Sequence, residues 1–279
     1  MLSYRHAFHA GNFADVLKHW VLVECLEYLK KKEKPFAYID THAGPGLYAL
    51  NSDFAQKTVE YQSGIARIWN DANLPEALLP YRDLIRSFNE DGQLRYYPGS
   101  PAIAQALLRE SDCLLLSELH STEHAALTQN FARDRRAEIW KQDGFVRSLK
   151  LLPPPSRRGF ILIDPSYELK EDYERVVEFL IAAHRKFAQG IYALWYPVID
   201  RRRIDTIEAE LKQSGIRNIA LFELGIAPDS EERGMTSSGM IVINQPWTLK
   251  QRIDGGIGYL ADKLSNGTGF SRSIELVGE

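Results

Sequence analysis

The sequence predicts an α/β chain: a mainly parallel, doubly wound sheet of Rossmann-like type, with a helical insertion after the first strand. Three observations carry that expectation. Short apolar runs alternate with stretches of helical apolar spacing; Asp40, Glu118, Asp143 and Asp164 stand where four of those runs end; and the loop Thr41-His42-Ala43-Gly44-Pro45-Gly46 follows the first run. Near-continuous apolar strands separated by helices belong to a parallel sheet covered on both faces. Ligands of such sheets sit outside the carboxyl ends of the strands, near the topological switch point. The four acidic positions therefore also indicate where a site should lie.

The elements follow in order. Over residues 13–29 apolar side chains recur at helical spacing (Phe13, Val16, Leu17, Trp20, Val21, Cys25, Leu29), then give way to Lys30-Lys31-Lys32-Glu33-Lys34. An amphipathic helix with cations in its last turn suits the macrodipole, and Pro35 stops it. Residues 36–39 read as a short strand ended by Asp40, and two glycines flanking Pro45 require a loop. Residues 51–97 lack a clear buried strand but carry helical spacing at Ile65, Ile68 and Trp69 and at Leu84, Ile85 and Phe88, so they read as a helical insertion. Alternation then resumes: strand 113–116 before Glu118, helix 124–131, short strand 138–141 before Asp143-Gly144. Strand 160–163 opens onto Asp164-Pro165-Ser166-Tyr167. A long amphipathic helix over 171–187, a strand over 191–196 and a helix over 204–214 come next. Strands 219–224 and 239–243 close the sheet, as a hairpin across a loop rich in Glu, Gly and Ser.

With 279 residues, 44% of them hydrophobic and 25% charged, the chain should bury a core. No window is apolar for long enough to cross a bilayer, and residues 1–12 lack the apolar stretch of a secretion signal. Cys25 and Cys113 lie in apolar stretches without metal-ligand spacing, and no carboxylate or cysteine completes a ligand set with His6 and His9. A cytoplasmic location, reduced thiols, no membrane and no metal are the resulting expectations. The formal net charge of −3 lends no global support to a nucleic-acid partner. Local clusters (Arg133, Arg135 and Arg136; Arg157 and Arg158; Arg201, Arg202 and Arg203) are either phosphate contacts or solvated helix ends and loops.

Three constellations bear on chemistry. The loop ending Gly44-Pro45-Gly46 lets backbone approach a ligand without a Cβ in the way, or is simply a tight turn; it is neither a P-loop nor G-x-G-x-x-G. Glu118 stands where a carboxylate can accept both hydroxyls of a ribose, and Asp143 where one can accept an adenine amine, with Gly144 leaving room for the ring. Alone, each could be a solvated strand end; together they favour an adenosyl ligand. Asp164-Pro165-Ser166-Tyr167 decides the chemistry. A carboxylate at the mouth of a buried strand, with an adjacent backbone carbonyl, can accept both hydrogens of a planar amine, and Tyr167 offers a face for a flipped base. Such acceptors draw a delocalised exocyclic nitrogen toward tetrahedral geometry as a methyl group arrives, which stabilises the transition state selectively.

Asp164-Pro165-Ser166-Tyr167 resembles the D/N-P-P-Y/F/W motif of amino-methyltransferases, and Gly44-Pro45-Gly46 resembles their cofactor loop. The opening Tyr4-Arg5-His6-Ala7-Phe8-His9-Ala10-Gly11-Asn12, continuing through Asp15-Val16-Leu17-Lys18-His19, together with Asp40-Thr41-His42-Ala43-Gly44, is similar to the bacterial 23S ribosomal RNA adenine-N6 methyltransferase family over nearly the whole chain. The resemblance implies a seven-stranded methyltransferase sheet, S-adenosylmethionine as cofactor, and action by a monomer on 23S rRNA that is protein-free or in early assembly. It implies a methyltransferase domain over residues 1–50 and 98–279, with an N-terminal substrate and cofactor segment, and an inserted helical subdomain over 51–97. It also implies roles by position. His19, His42 and Gly44 would line the cofactor pocket, Ser100 would reach the carboxylate end, Glu118 the ribose, and Asp143 with Gly144 the adenine. Asp164 would be the catalytic acceptor beside the cofactor, with Pro165 and Tyr167 completing its motif. Tyr4, His6 and Lys18 would meet the RNA.

Two other readings share these residues. A glutamine-N5 protein methyltransferase faces the same planar-amine problem, although those proteins favour Asn where Asp164 stands. A non-catalytic RNA-binding factor could keep the same fold. One position departs from the motif: Ser166 replaces its second proline, keeping the carbonyl while loosening φ. Activity should survive this, because Asp164 and Tyr167 are intact. Steady-state turnover of Ser166→Pro should therefore match that of the native chain; a severalfold rise would show that the serine is a cost.

Overall fold

A computed structural model describes residues 5–230, 234–265 and 267–279. Tyr4, expected at the RNA, lies outside the described residues. The chain builds one large sheet from β1 (Ala37–Asp40), β4 (Cys113–Ser117), β5 (Ala137–Trp140), β6 (Gly159–Ile163), β7 (Ile191–Val198), β8 (Ile219–Gly225), β9 (Ser237–Ile243) and β10 (Phe270–Val277). Their order is β10-β8-β9-β7-β6-β1-β4-β5. β5, β4, β1, β6 and β7 run parallel, and β9 enters antiparallel between β7 and β8. The order reverses at β1, so the loops after β1, β4 and β6 converge on one crevice.

The sheet has eight strands, not seven. The additional one, β10, pairs antiparallel with β8 along the outer edge, from Phe270 opposite Gly225 to Val277 opposite Ile219. Its sequence, Phe-Ser-Arg-Ser-Ile-Glu-Leu-Val, mixes polar with apolar residues because an edge strand is only half covered. The hairpin of β8 and β9 stands as expected.

Both faces are covered. One core gathers Leu116, Phe160, Leu162 and Val242 beneath α1 (Phe13–Lys30) and α5 (Ser100–Leu107); the other gathers Ile161, Ile163, Leu194 and Leu221 beneath α8 (Asp172–Lys186) and α9 (Arg201–Gln213). The α1 helix starts at Asn12, whose side chain accepts from the Asp15 amide. It departs from the amphipathic expectation: His19, Lys18 and Asp15 are as buried as Leu17 and Trp20. The reason is tertiary, since the insertion lies over the helix's outer side. There α4 (Leu79–Ser87) packs on α1, and Trp20 donates its indole N–H to the Ala77 carbonyl at 3.0 Å.

The insertion is helical, with α2 (Asp53–Thr58), α3 (Ile65–Trp69) and α4, but two short strands clasp its ends. β2 (Leu47–Ala49) pairs antiparallel with β3 (Tyr96–Pro98). After β9, α10 (Leu249–Asp254) and α11 (Ile257–Ser265) return the chain to the edge. Among the described residues, no helix is long and apolar enough to cross a membrane.

Three arginines of the basic clusters serve the fold. Arg136 binds Asp134 and the carbonyls of Gln105 and Leu108. Arg158 donates to the carbonyls of Leu29 and Lys34. Arg201 reaches both oxygens of the fully buried Glu223, at 2.8 and 2.7 Å, where Tyr196 also donates at 2.9 Å. Removing Glu223 would leave the buried Tyr196 hydroxyl without its acceptor and Arg201 with Asp229 as its remaining carboxylate. Glu223→Ala should therefore cost about 3 kcal/mol in urea unfolding.

Candidate active site

A cavity of about 310 Å³ opens at the carboxyl ends of β1, β4, β5 and β6. That is the lower end of the range for small-molecule sites. His6, Lys18, His19, His42, Gly44, Ser100, Glu118, Asp143, Gly144, Asp164 and Pro165 all line it. Of the described residues named from sequence, Tyr167 does not.

The β1 and β4 loops are tied to each other. Gly44 adopts φ +61°, which favours glycine, and a Cβ there would sit 2.7 Å from the Tyr48 hydroxyl. Its amide donates to Glu118 Oε2 at 2.8 Å, while Glu118 Oε1 accepts from the His120 amide at 2.7 Å. Two backbone donors thus aim the carboxylate, and burial pushes its pKa up despite them. Glu118 is a partly desolvated acceptor with a set orientation, suited to a diol.

At the end of β5, Asp143 caps α7 (Gly144–Leu151) by accepting from the Val146 amide, and it takes a 2.7 Å ion pair from Arg175 of α8. Both oxygens are engaged within the fold. Gly144 has a reason within the fold beside the one expected: a Cβ there would fall 1.7 Å from the Thr41 carbonyl oxygen, so glycine lets the β1 loop pass.

The β6 mouth carries the most elaborate electrostatics. Lys18 Nζ donates to Asp164 Oδ2 at 2.7 Å and lies 2.9 Å from Asp15 Oδ1. Burial alone would discharge this lysine, but the two carboxylates outweigh it and hold the ammonium above its ordinary range. Asp15 is buried too, yet His6 and Lys18 keep its carboxyl well below the usual value. It also accepts from the Gly11 amide at 2.9 Å, and His6 Nε2 lies 2.9 Å from Oδ2. The N-terminal turn therefore meets α1 at Asp15, and Lys18 links Asp15 to the β6 loop.

Tyr167 is placed otherwise than expected. At φ +53° its ring turns into the core, 7% exposed, 4.6 Å from the Tyr173 ring and 5.8 Å from that of Trp195. Its hydroxyl donates to the Trp195 carbonyl at 2.7 Å. In this conformation it holds the turn behind Asp164 and offers no free face to a base.

Asp15 was not legible as a site residue in the sequence, and neither were two others. Asp40, fully buried, accepts from Tyr38 and Ser100 at 2.7 Å each and from the His42 amide at 3.2 Å. Burial raises its pKa to about 6. Its place at the end of β1 was the available signal. Arg175, on the face of α8 toward the cavity, had none. Among the described residues no group of three or more His, Cys, Asp or Glu could hold a metal ion.

His42 is bonded to Thr41 Oγ1 at 2.7 Å, and burial depresses its pKa to about 4 from an ordinary 6.5. Between those values the unfolded chain binds a proton that the folded chain refuses, so stability falls on acidification. The stability difference between the native chain and His42→Gln should therefore narrow as pH drops from 6.5 to about 4, measured by urea titration at each pH.

A family model described as "Ribosomal RNA large subunit methyltransferase D, RlmJ" matches residues 33–277. The chain is 52% identical over 280 residues to ribosomal RNA large subunit methyltransferase J of Escherichia coli strain K12, covering all of both chains. It is 49% identical over 271 residues to the protein of that name from Haemophilus influenzae, covering 96% of each. A crystal structure of a Legionella pneumophila protein superposes with a TM-score of 0.89 at 37% identity, over 96% of this chain and 98% of that one. The resemblance read from the N-terminal segment and the two loops is borne out: this chain belongs to the RlmJ family of ribosomal RNA large subunit methyltransferases.

Proposed function

We propose that the chain transfers a methyl group from S-adenosylmethionine to the exocyclic N6 amine of an adenine in 23S rRNA. Family membership makes it a large-subunit ribosomal RNA methyltransferase; the donor, base and atom are the finer reading. One observation carries that reading: Asp164 lines the same cavity as Glu118, Asp143 and His42, so an amine acceptor and an adenosyl-type cradle share one space.

The residues fit the cofactor. Glu118 is oriented for a ribose diol by two backbone N–H groups, and the Gly44 turn brings backbone to the wall where a side chain would block it. Asp143 is oriented by Arg175 and the Val146 amide, and like Glu118 it keeps a lone pair on each oxygen, with which it can accept the adenine amine. The cofactor supplies an electrophilic methyl group on a sulfonium. This chain supplies the rest. Lys18 fixes the Asp164 carboxylate, whose unshared oxygen lone pairs accept an N–H of the target amine and draw the nitrogen out of conjugation. Pro165 and the Tyr167–Trp195 bond stiffen the turn that sets its position. Stacking of a base on Tyr167 would require its ring to leave Tyr173 and Trp195. The proton departs to solvent as the nitrogen is alkylated. In this reading a cytoplasmic monomer meets RNA not yet covered by ribosomal protein, with His6 and Lys18 nearest the base and Pro165 at the wall.

The test is nucleoside mass spectrometry of 23S rRNA incubated with protein and cofactor. N6-methyladenosine is the expected product; label appearing in protein instead would sink the reading. Asp164→Asn should lower turnover by at least about 100-fold while cofactor affinity stays within a few-fold. Equal loss of both would assign Asp164 to cofactor binding.

A further inference from the structure

His19 of α1 reaches the cavity wall, and its Nδ1 lies 2.7 Å from the Tyr97 hydroxyl of β3. That hydroxyl lies 3.0 Å from the hydroxyl of Tyr81 on α4. Both tyrosines are fully buried. Tyr97 is the one hydrogen-bond partner of Tyr81 among the described residues. This geometry has a direction. A buried hydroxyl proton is costly without an acceptor, so Tyr81 donates to the Tyr97 oxygen. Tyr97 then directs its own proton to His19 Nδ1. A neutral imidazole that accepts at Nδ1 carries its hydrogen on Nε2. The ring is neutral: burial, helped by the neighbouring Lys18 ammonium and His6 and opposed by Asp15, brings its pKa down to about 3. Nε2 has no protein partner among the described residues and belongs to a residue that lines the cavity.

We propose that the insertion sets the hydrogen-bond polarity of the cofactor cavity, with Tyr81 and Tyr97 as positioning residues that hold His19 as an Nε2–H donor toward a carboxylate on the bound ligand. The opposite order of protons would leave the Tyr81 hydrogen without an acceptor and turn an imidazole lone pair toward that anion. Both tyrosines lie within residues 51–97, so the inserted helices act on the cofactor site itself through a chain of three side chains. The proposal rests on the cofactor reading above for the identity of the ligand, but the tautomer stands on the protein alone.

The experiment is nitrogen-15 NMR of histidine-labelled protein, with calorimetry using S-adenosylmethionine and its demethylated product. In the native chain His19 should show a protonated Nε2 and an unprotonated Nδ1. Tyr97→Phe should weaken binding of both ligands about tenfold and raise KM for the cofactor in proportion, with kcat at saturation within about twofold. Tyr81→Phe should keep the native tautomer, because His19 Nδ1 is then the one acceptor left to the Tyr97 proton, and should weaken binding by a smaller factor. A native His19 protonated at Nδ1 overturns the proposal, as does a folded Tyr97→Phe chain with unchanged affinity. Should Tyr97→Phe fail to fold, a Tyr81→Phe chain with His19 protonated at Nδ1 overturns it equally. A native chain that bound neither ligand would refute the cofactor reading instead, while the tautomer measurement still decided the relay.

Discussion

The structure depends on a buried ammonium shared by two carboxylates. Lys18 stands between Asp15 of its own helix and Asp164 at the mouth of β6, and its side chain is 4% exposed. Taking three charges out of water is unfavourable unless each finds close, well-aligned partners. That requirement fixes the relative position of α1 and β6 more tightly than apolar contact would, because dispersion tolerates small slips and a 2.7 Å ion pair does not. It also keeps Asp164 available as an acceptor while one of its oxygens is anchored.

The constraint spreads outward through acceptors that each serve two segments. Asp15 takes Lys18, His6 and the Gly11 amide, which joins the N-terminal turn to the reaction centre. Glu118 takes the Gly44 and His120 amides, which joins the β1 and β4 loops. Asp143 takes the Val146 amide and Arg175, which joins α7 to α8. Where loops press too closely for any side chain, glycine stands, as at Gly144 against the Thr41 carbonyl. A site assembled from loops is held here by polar bonds of short reach, so displacement of one loop is transmitted to its neighbour.

The insertion alters the environment of everything beneath it. Without cover, α1 would present one face to water; with α4, Ala77 and Tyr97 over it, Trp20 and His19 enter the interior, while Lys18 is enclosed on the side of Asp164 and Trp195. Burial is what discharges His19, and it is also what makes the Lys18 pairing strong enough to matter. The helical segment thus contributes dielectric as well as surface.

The sequence by itself determined the alternating elements, the parallel core of the sheet and the strand ends that carry Asp40, Glu118, Asp143 and Asp164. Apolar periodicity and loop chemistry are local, and neighbours along the chain encode them. It also determined the family, through residues 4–19 and 40–44. Only the tertiary structure decided that Tyr167 turns inward, that Gly144 yields to Thr41, that Arg175 engages Asp143, and that a half-exposed β10 completes the edge. Each of these depends on groups tens of residues apart meeting at contact distance, and no one-dimensional pattern records such a meeting. The same physics separates the charged helix position that stays in water from Lys18, whose partner lies 146 residues away.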